Sequence, residues 1–221
     1  MGLYLLDIYR SPNIGIFLKA NDKFLLVPKG LAESKTSKLA SDLGVSICYA
    51  SIAGSRLLGA LSAMNNNGLI LSRLAEPEEI REIASATGLN VARLDSKFTA
   101  MGNLITANDK RAIVSPLLDS RAMSQVQDVL GTEVQRMAIR EYAQVGALVV
   151  TTNRGAAIYP KLEEDEASRI GEILGVEAYP TSVNGGVPFV ASGIVANARN
   201  AVVGNLTTGP ELVFITRALK V

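Results

Sequence analysis

The stretch GNLITANDKRAIVSP, residues 102–116, decides the fold because variants of it recur along the chain. Each variant has an apolar run after a glycine, a polar turn, and a second apolar run that ends at a proline or serine. A fifth, shorter variant begins near residue 191 as SGIVANARNAVVG. The leading glycines of the first four variants are spaced 44, 43 and 44 residues apart: Gly15, Gly59, Gly102 and Gly146. A repeat of this length indicates a stacked or ring-like architecture.

A second glycine series keeps the same rhythm. It follows a run with helical periodicity in each repeat and consists of Gly44, Gly88, Gly131 and Gly175. Two independent series with one period predict a single domain, residues 1–221, made of five repeats of about 44 residues. The repeats begin near residues 15, 59, 102, 146 and 191.

The third repeat shows what one unit builds. A strand over 104–106 and a returning strand over 112–114 flank Asn108 and Asp109, which tolerate the left-handed backbone of a hairpin turn. Asp119 is a good N-cap, and the apolar residues after it fall on one helix face that ends at Gly131. A third strand over 133–139 completes a ββαβ unit.

The fifth repeat has no room for its last strand before residue 221. We expect residues 1–10 to supply that strand and to close the ring, which would leave no exposed sheet edge. The predicted fold class is therefore α/β, a five-bladed pseudo-symmetric ββαβ propeller closed by the N-terminal strand. Helices would lie outside, with glycines and small residues near the axis.

Composition excludes several classes of function. The 22 basic and 21 acidic residues nearly balance, whereas proteins that bind naked nucleic acid usually have a basic excess. No run approaches the roughly 18 apolar residues of a membrane span, and the first residues lack the pattern of a signal peptide. A single cysteine, Cys48, fits a reducing compartment. We therefore predict a cytoplasmic protein without membrane association.

Catalytic machinery is hard to find in this sequence. The absence of histidine removes the usual general base, the Ser-His-Asp and Cys-His pairs, and most zinc sites. Cys48 lies in a strand-like alternation, which favours a buried structural thiol. The acidic run 163–166 reads as a solvated helix start, and Gly185 and Gly186 do not stand in the context of a phosphate loop. We predict no enzyme activity, no catalytic residue, no metal site and no cofactor.

Polar residues recur where each repeat enters its first strand. Asn13 precedes Gly15, Arg56 precedes Gly59, and Asn103 follows Gly102. Taken singly, these residues are turn formers. Gathered on one face of a ring, they would form a rigid docking surface.

Four motifs carry a resemblance to a known family. They are SPNIGIFLKAND (11–22), ASIAGSRLLG (50–59), MGNLITAND (101–109) and TSVNGG (181–186). In this order they closely resemble the translation initiation factor 6 family, the ribosome anti-association factors, and the length of the chain resembles the archaeal members. The resemblance implies the pentein fold, which is the fivefold ββαβ propeller that the repeats indicate independently.

The resemblance also implies a function. Members bind the large (50S) ribosomal subunit on its intersubunit face, contact the protein of the L14 family near the sarcin–ricin loop, and block joining of the small subunit. They act as monomers, accompany large-subunit maturation, and are evicted by a GTPase with a partner factor; ribosomal RNA is a secondary contact. By motif, the implied ribosome-binding residues are Asn13, Gly15, Arg56, Ala60, Asn65, Asn103 and Leu148.

Two alternatives remain open at this stage. The same fold houses guanidine-modifying enzymes that use a Cys–His pair and acidic residues in the axial channel, and the missing histidine and the position of Cys48 disfavour them. A passive binder of a small ligand in the axial channel is neither supported nor excluded by the sequence.

Overall fold

The computed structural model describes residues 2–221, and within them five three-stranded sheets share one plan. In each sheet a short inner strand pairs antiparallel with a middle strand, and a third strand pairs parallel with the middle one. The strands are β1 (Gly2–Leu6), β2 (Lys19–Ala20), β3 (Phe24–Pro28), β4 (Ser46–Ala50), β5 (Ser62–Met64), β6 (Gly68–Leu71), β7 (Asn90–Arg93), β8 (Ile105–Ala107), β9 (Arg111–Val114), β10 (Glu133–Arg136), β11 (Val149–Thr151), β12 (Ala156–Ile158), β13 (Ala178–Pro180), β14 (Ile194–Ala196) and β15 (Asn200–Gly204).

Long and short helices alternate between these strands. Each long helix has 11 residues, and across residues 2–221 no helix has the length and apolar character needed to cross a membrane. In chain order the helices are α1 (Ile14–Phe17), α2 (Glu33–Leu43), α3 (Leu58–Leu61), α4 (Pro77–Thr87), α5 (Met101–Leu104), α6 (Ser120–Leu130), α7 (Val145–Leu148), α8 (Glu164–Leu174) and α9 (Gly209–Leu219), with a 3₁₀ turn at Val190–Ser192 in the place of a fifth short helix.

The ends of the long helices confirm the predicted capping. Asp119 accepts a hydrogen bond from the backbone N–H of Ala122 at 2.8 Å. The second glycine series occupies the left-handed C-cap positions, as shown by Gly131 with φ of 58°. In α9 the same position is held by Lys220, with φ of 56°. An L-residue is tolerated there because a single left-handed residue costs only about 1–2 kcal/mol.

The first glycine series is placed differently from the prediction. Each of these glycines lies within a short helix, so the inner strand of the third unit starts at Ile105 and not at residue 104. A Cβ on Gly59 would overlap the carbonyl oxygen of Gly15 in the neighbouring short helix. The glycine is therefore required by a close approach between backbones. The third strand of this unit is also shorter than predicted, because β10 ends at Arg136.

The hairpin turns do not use a left-handed backbone, so that part of the prediction was wrong. Asn108 and Asp109 are absent from the residues with positive φ. Instead, Asn108 Oδ1 accepts hydrogen bonds from the backbone N–H groups of Lys110 and Arg111 at 3.0 and 2.9 Å. The asparagine side chain replaces a backbone turn.

The N-terminal strand completes the fifth sheet. Strand β1 runs parallel to β15 with five residue pairs in register, from Gly2 opposite Asn200 to Leu6 opposite Gly204. The sheet order is β1-β15-β14, so β1 holds the place that β4, β7, β10 and β13 hold in their units.

Apolar clusters fill the space between sheets and long helices. Helix α6, for example, packs on β10 of its own unit and on β6 of the preceding one, through buried residues such as Val126 and Leu130. The inner strands contact one another in chain order from β2 to β14, and β14 contacts β2. Each long helix thereby bridges two neighbouring sheets.

Candidate functional site

The inner strands connect two chemically different ends of the molecule. Each inner strand follows a short helix and leads into an asparagine- or threonine-stabilised hairpin. We call the tight turns before the short helices, together, the turn face: residues 9–13, 53–57, 97–100, 140–144 and 184–189. The hairpin end comprises residues 21–24, 65–68, 108–111, 152–155 and 197–200.

A central cavity of about 630 Å³ is lined by residues from all five units. Its wall is formed by the short helices and inner strands, with mostly small or aliphatic side chains such as Ala63, Ala107 and Val195. Polar lining residues occur both in the short helices and turn face, as Asn103 and Gln144 do, and on the inner strands, as Thr106 and Thr151 do. This volume lies within the range of about 300–1,000 Å³ that is usual for small-molecule sites.

Lys19 is the one charged residue among those that line the cavity. Burial lowers the pKa of its ammonium group to about 8. Equivalent positions in the other units hold Ala63, Thr106, Val150 and Val195, all without charge.

A belt of hydrogen bonds links the units at the hairpin end. The backbone N–H of Asp22 donates to Asn66 Oδ1, that of Asn66 to Asp109 Oδ1, and that of Asp109 to Asn153 Oδ1. The N–H of Ala198 donates to Asp22 Oδ1 at 2.7 Å, so the first and fifth units are joined as well. The remaining link would run from the backbone N–H of Asn153 to position 198, and Ala198 has no side-chain acceptor for it. Asn66 Nδ2 also donates a hydrogen bond to each of the carboxylates of Asp22 and Asp109, at 2.6 and 2.7 Å, and so lies between them.

The turn face combines aromatic and cationic side chains. The Arg56 guanidinium lies 5.2 Å from the centroid of the Tyr9 ring, and Tyr9 packs edge-on against Phe17 at 5.3 Å. In other units Tyr142 packs edge-on against Phe189 at 5.9 Å. Aromatic and arginine side chains of this kind are enriched at the energetic centres of protein interfaces.

Side chains from the long helices anchor the turn face. Glu79 accepts hydrogen bonds from the backbone N–H groups of Ala53 and Gly54, and Glu211 does the same for Gly185 and Gly186. Burial on its own raises the pKa of Glu211, and hydrogen bonds from Thr208, Ser182 and both glycines outweigh it, giving a pKa of about 2.

The fourth and first units use ion pairs for the same purpose. Arg140 donates to both carboxylate oxygens of Glu166, and this contact holds the pKa of Glu166 below its usual range. Lys35 Nζ lies 2.9 Å from Asp7 Oδ1. The third residue of α2, α4, α8 and α9 thus contacts the segment just before the short helix of its own unit. These contacts restrain the turn face in four of the five units.

Five of the predicted binding residues gather at this end. Arg56 is exposed in the turn face, and Asn13 stands directly before α1. Gly15, Ala60 and Asn103 lie in short helices and line the cavity. Asn103 is half-buried within α5, whereas the sequence suggested an exposed strand entry.

The other two predicted residues lie elsewhere. Asn65 is at the hairpin end, 4% exposed, where its Nδ2 donates to the carbonyl oxygens of Asn108 and Leu130. Leu148 is fully buried in the apolar cluster of the fourth unit. Neither side chain can touch an outside partner in this conformation, because each is enclosed by its own protein.

The candidate catalytic groups are not in the cavity. Cys48 lies in β4, is buried, and has a pKa raised by burial. Residues 163–166 form the exposed start of α8 with a capping box between Glu163 and Glu166. Across residues 2–221, no group of three or more Cys, Asp and Glu side chains is arranged to hold a metal ion.

Sequence reasoning missed Lys19 and the aromatic members of the turn face. A usable signal for Lys19 existed, because it stands four residues after Gly15, where the other repeats have uncharged residues. Tyr9, Tyr142 and Phe189 gave no shared signal, since the turns differ in length and sequence.

Comparison with known proteins agrees with this architecture. A family model described as the eIF-6 family matches residues 3–218. The chain belongs to the eIF-6 family. Three curated eIF-6 relatives are each named "Translation initiation factor 6". The protein of Nitrosopumilus maritimus is 52% identical, that of Cenarchaeum symbiosum 49%, and that of Pyrococcus furiosus 45%, each over 99% of both chains.

Proposed function

We propose that this protein is a cytoplasmic translation initiation factor that binds the large ribosomal subunit through its turn face and sterically prevents joining of the small subunit. The family membership and the names of the relatives support a role in translation initiation. The observation that carries the choice of surface is the anchored turn face. Exposed Arg56 stands on the turn held by Glu79, and Phe189 stands on the turn held by Glu211.

The proposal includes a closed pentein-type propeller of five ββαβ blades. Three sets of contacts support it: the inner strands from β2 to β14 and back to β2, the hydrogen-bond belt from Asp22 to Ala198, and the pairing of β1 with β15. A closed ring of bridged sheets holds its loops in fixed relative positions. Such a surface loses little conformational entropy when it docks.

The partner on the subunit is, in this proposal, mainly a protein. The near balance of 22 basic and 21 acidic residues suits a protein–protein contact better than one dominated by phosphates. We assign the contact to the L14-family protein near the sarcin–ricin loop, with ribosomal RNA secondary. The proposal further includes a monomeric factor that takes part in large-subunit maturation and is later evicted by a GTPase and its partner factor.

The direct contact set follows from position in the fold. Asn13, Gly15, Arg56, Ala60 and Asn103 are the members of the original set that stand on or beside the turn face. Asn65 and Leu148 would act indirectly, by holding the blades and the short helices in place.

A guanidine-modifying enzyme is the weaker alternative. Its cationic substrate would meet the Lys19 ammonium in a cavity wall that contributes no carboxylate and no thiol. Incubation with arginine or agmatine tests this alternative: formation of a citrulline-type product that is lost on Cys48→Ala would establish it.

Co-sedimentation with purified large subunits, followed by addition of small subunits, tests the proposal. Stoichiometric binding that suppresses the joined ribosome is the expected result. Arg56→Glu should weaken binding at least tenfold, a loss of about 1.4 kcal/mol, because the charge and the contact with Tyr9 are both lost. Asn103→Glu should weaken it as well.

Lys161→Glu is the matched control, since Lys161 is exposed and lies outside the turn face. Equal losses for Arg56→Glu and Lys161→Glu would show that general charge, and not the turn face, governs binding. Absence of binding to homologous large subunits would refute the proposed function and leave only the fold.

A further inference from the structure

The central cavity has a chemical character that the docking surface does not explain. Most of its wall is apolar, yet one lysine side chain lies in the ring of inner-strand residues formed by Lys19, Ala63, Thr106, Val150 and Val195. Lys19 is half-buried, and its ammonium group stands in a mostly apolar wall that offers it few polar partners. An anion in the cavity would compensate this charge.

The protein supplies no such anion. None of the cavity-lining residues is an aspartate or glutamate, and no ion pair or hydrogen bond links Lys19 Nζ to any group within residues 2–221. Burial is the one influence on its pKa, which falls to about 8, so the ammonium form still predominates at neutral pH.

We propose that the cavity binds a small organic monoanion, whose carboxylate head pairs with Lys19 and whose apolar body lies against the aliphatic wall. The single cation neutralises one negative charge, and the apolar wall penalises a second, which disfavours inorganic phosphate and phosphate esters. A cationic or zwitterionic ligand is disfavoured for the opposite reason. The proposal does not depend on ribosome binding.

We expect the ligand to enter from the turn-face side, because the pocket at the hairpin end is small, about 30 Å³. Asn103, Tyr142, Gln144 and Phe189 line the cavity on the turn-face side, whereas the belt that includes Asp22 and Asn66 spans the hairpin end. The amide groups of Asn103 and Gln144 can donate to a carboxylate as it enters. The wall deeper inside consists of residues such as Ala63, Met64 and Ile194.

Isothermal titration calorimetry with sodium octanoate tests the proposal on the full-length protein. We expect saturable binding of one octanoate per chain, and at least a tenfold weaker affinity for Lys19→Met, which keeps a long apolar side chain and removes the charge. Lys23→Met is the matched control, since Lys23 is exposed at the hairpin end and should leave the affinity unchanged. Octylammonium and inorganic phosphate should bind at least tenfold more weakly than octanoate.

A second measurement keeps the proposal falsifiable if Lys19→Met folds poorly. Reductive ¹³C-methylation of the unmodified sequence, with NMR detection, reports each lysine, and octanoate should shift the Lys19 signal and raise its pKa. Tyr142, the other titratable lining residue, has a pKa raised to about 12 by its contact with Tyr159 and so stays neutral throughout. Octanoate affinity that is equal in Lys19→Met, a Lys19 signal that does not move, or tighter binding of phosphate would each overturn the proposal.

Discussion

At the scale of single residues, Glu211 is the carboxylate on which the fifth turn most depends. It is 6% exposed and accepts hydrogen bonds from Ser182, Thr208, Gly185 and Gly186, which together hold its pKa at about 2. Its stabilising effect is complete above the ordinary pKa of 4.5 and is lost as the pH falls from there to about 2. A shift of this size corresponds to about 3 kcal/mol.

Glu211→Gln should therefore lower the free energy of unfolding at pH 7 by up to about 3 kcal/mol. The variant should also lose much less stability between pH 5 and pH 2.5 than the unmodified protein, because the shifted group is gone. Urea unfolding across this pH range measures both effects. Glu164→Gln is the control, since Glu164 is exposed at the start of α8. A steep acid loss that survives in Glu211→Gln would contradict the assignment.

A second residue-scale prediction concerns the packing of neighbouring short helices. Gly59→Ala should destabilise the protein by about 3 kcal/mol, because the added Cβ meets the backbone oxygen of Gly15, which cannot move aside cheaply. Gly209→Ala provides the control, since space surrounds that position at the start of α9 and alanine favours a helix. Thermal denaturation compares the two variants. A melting temperature of Gly59→Ala equal to that of the unmodified protein would mean that adjacent short helices can separate.

At the scale of elements, the belt at the hairpin end lacks one link, and the fifth unit is responsible. Ala198 stands where the other units have Asp22, Asn66, Asp109 or Asn153. Ala198→Asn should supply the missing acceptor for the backbone N–H of Asn153 and raise the free energy of unfolding by about 1 kcal/mol. Ala198→Leu has nearly the same shape without the acceptor, so a similar gain from both variants in urea unfolding would show that packing, not the link, is the cause.

An element could be predicted from the sequence when its own residues carried a recognisable pattern. The long helices were predictable because the cap at Asp119 and the glycine at Gly131 mark both ends of a periodic apolar face. The short helices were not, since four residues such as Met101–Leu104 are too few to show a helical period. Asn108 marked its turn correctly, but for a different physical reason. Its backbone is not left-handed, and its side chain stabilises the turn by accepting hydrogen bonds from backbone N–H groups.

The candidate site was less accessible from sequence than the fold. Motif resemblance placed Asn65 and Leu148 among the contact residues, and only the three-dimensional packing shows both to be enclosed. The sequence spacing places Lys19 in one register with Thr106 and Val150, but a strand has two faces. Which face lines the cavity follows from how the sheets pack around it, and that is a property of all five units together.

At the scale of the whole molecule, the pairing of β1 with β15 ties the two ends of the chain together. Deleting residues 1–7 removes all five residue pairs of β1 and leaves β15 with an open edge. We expect this truncation to lower the melting temperature by more than 10 °C, as a loss of several kcal/mol implies for a chain of this size, estimated at about 2–4 °C per kcal/mol. An unaltered melting curve would contradict a structural role for β1.

A circular permutant tests the same pairing without removing any contact. In the first three units two residues separate a long helix from the strand that follows, as Gly44 and Val45 do between α2 and β4. Lys220 and Val221 follow α9 in the same way, and Lys220 already has the left-handed C-cap conformation. Direct fusion of Val221 to Gly2, with new termini opened before the exposed Gly30, therefore reproduces the ordinary ββαβ connection.

The permutant should fold and melt within about 5 °C of the unmodified protein, since its blades keep every strand pair and exchange one backbone connection for another. A second permutant with the same new termini and residues 2–7 omitted is the matched control and should be as unstable as the simple truncation. If both permutants melted alike, β1 would contribute nothing to the fifth sheet. Recovery of stability by the complete permutant alone would show that the pairing of β1 with β15, and not the position of the chain ends, stabilises the molecule.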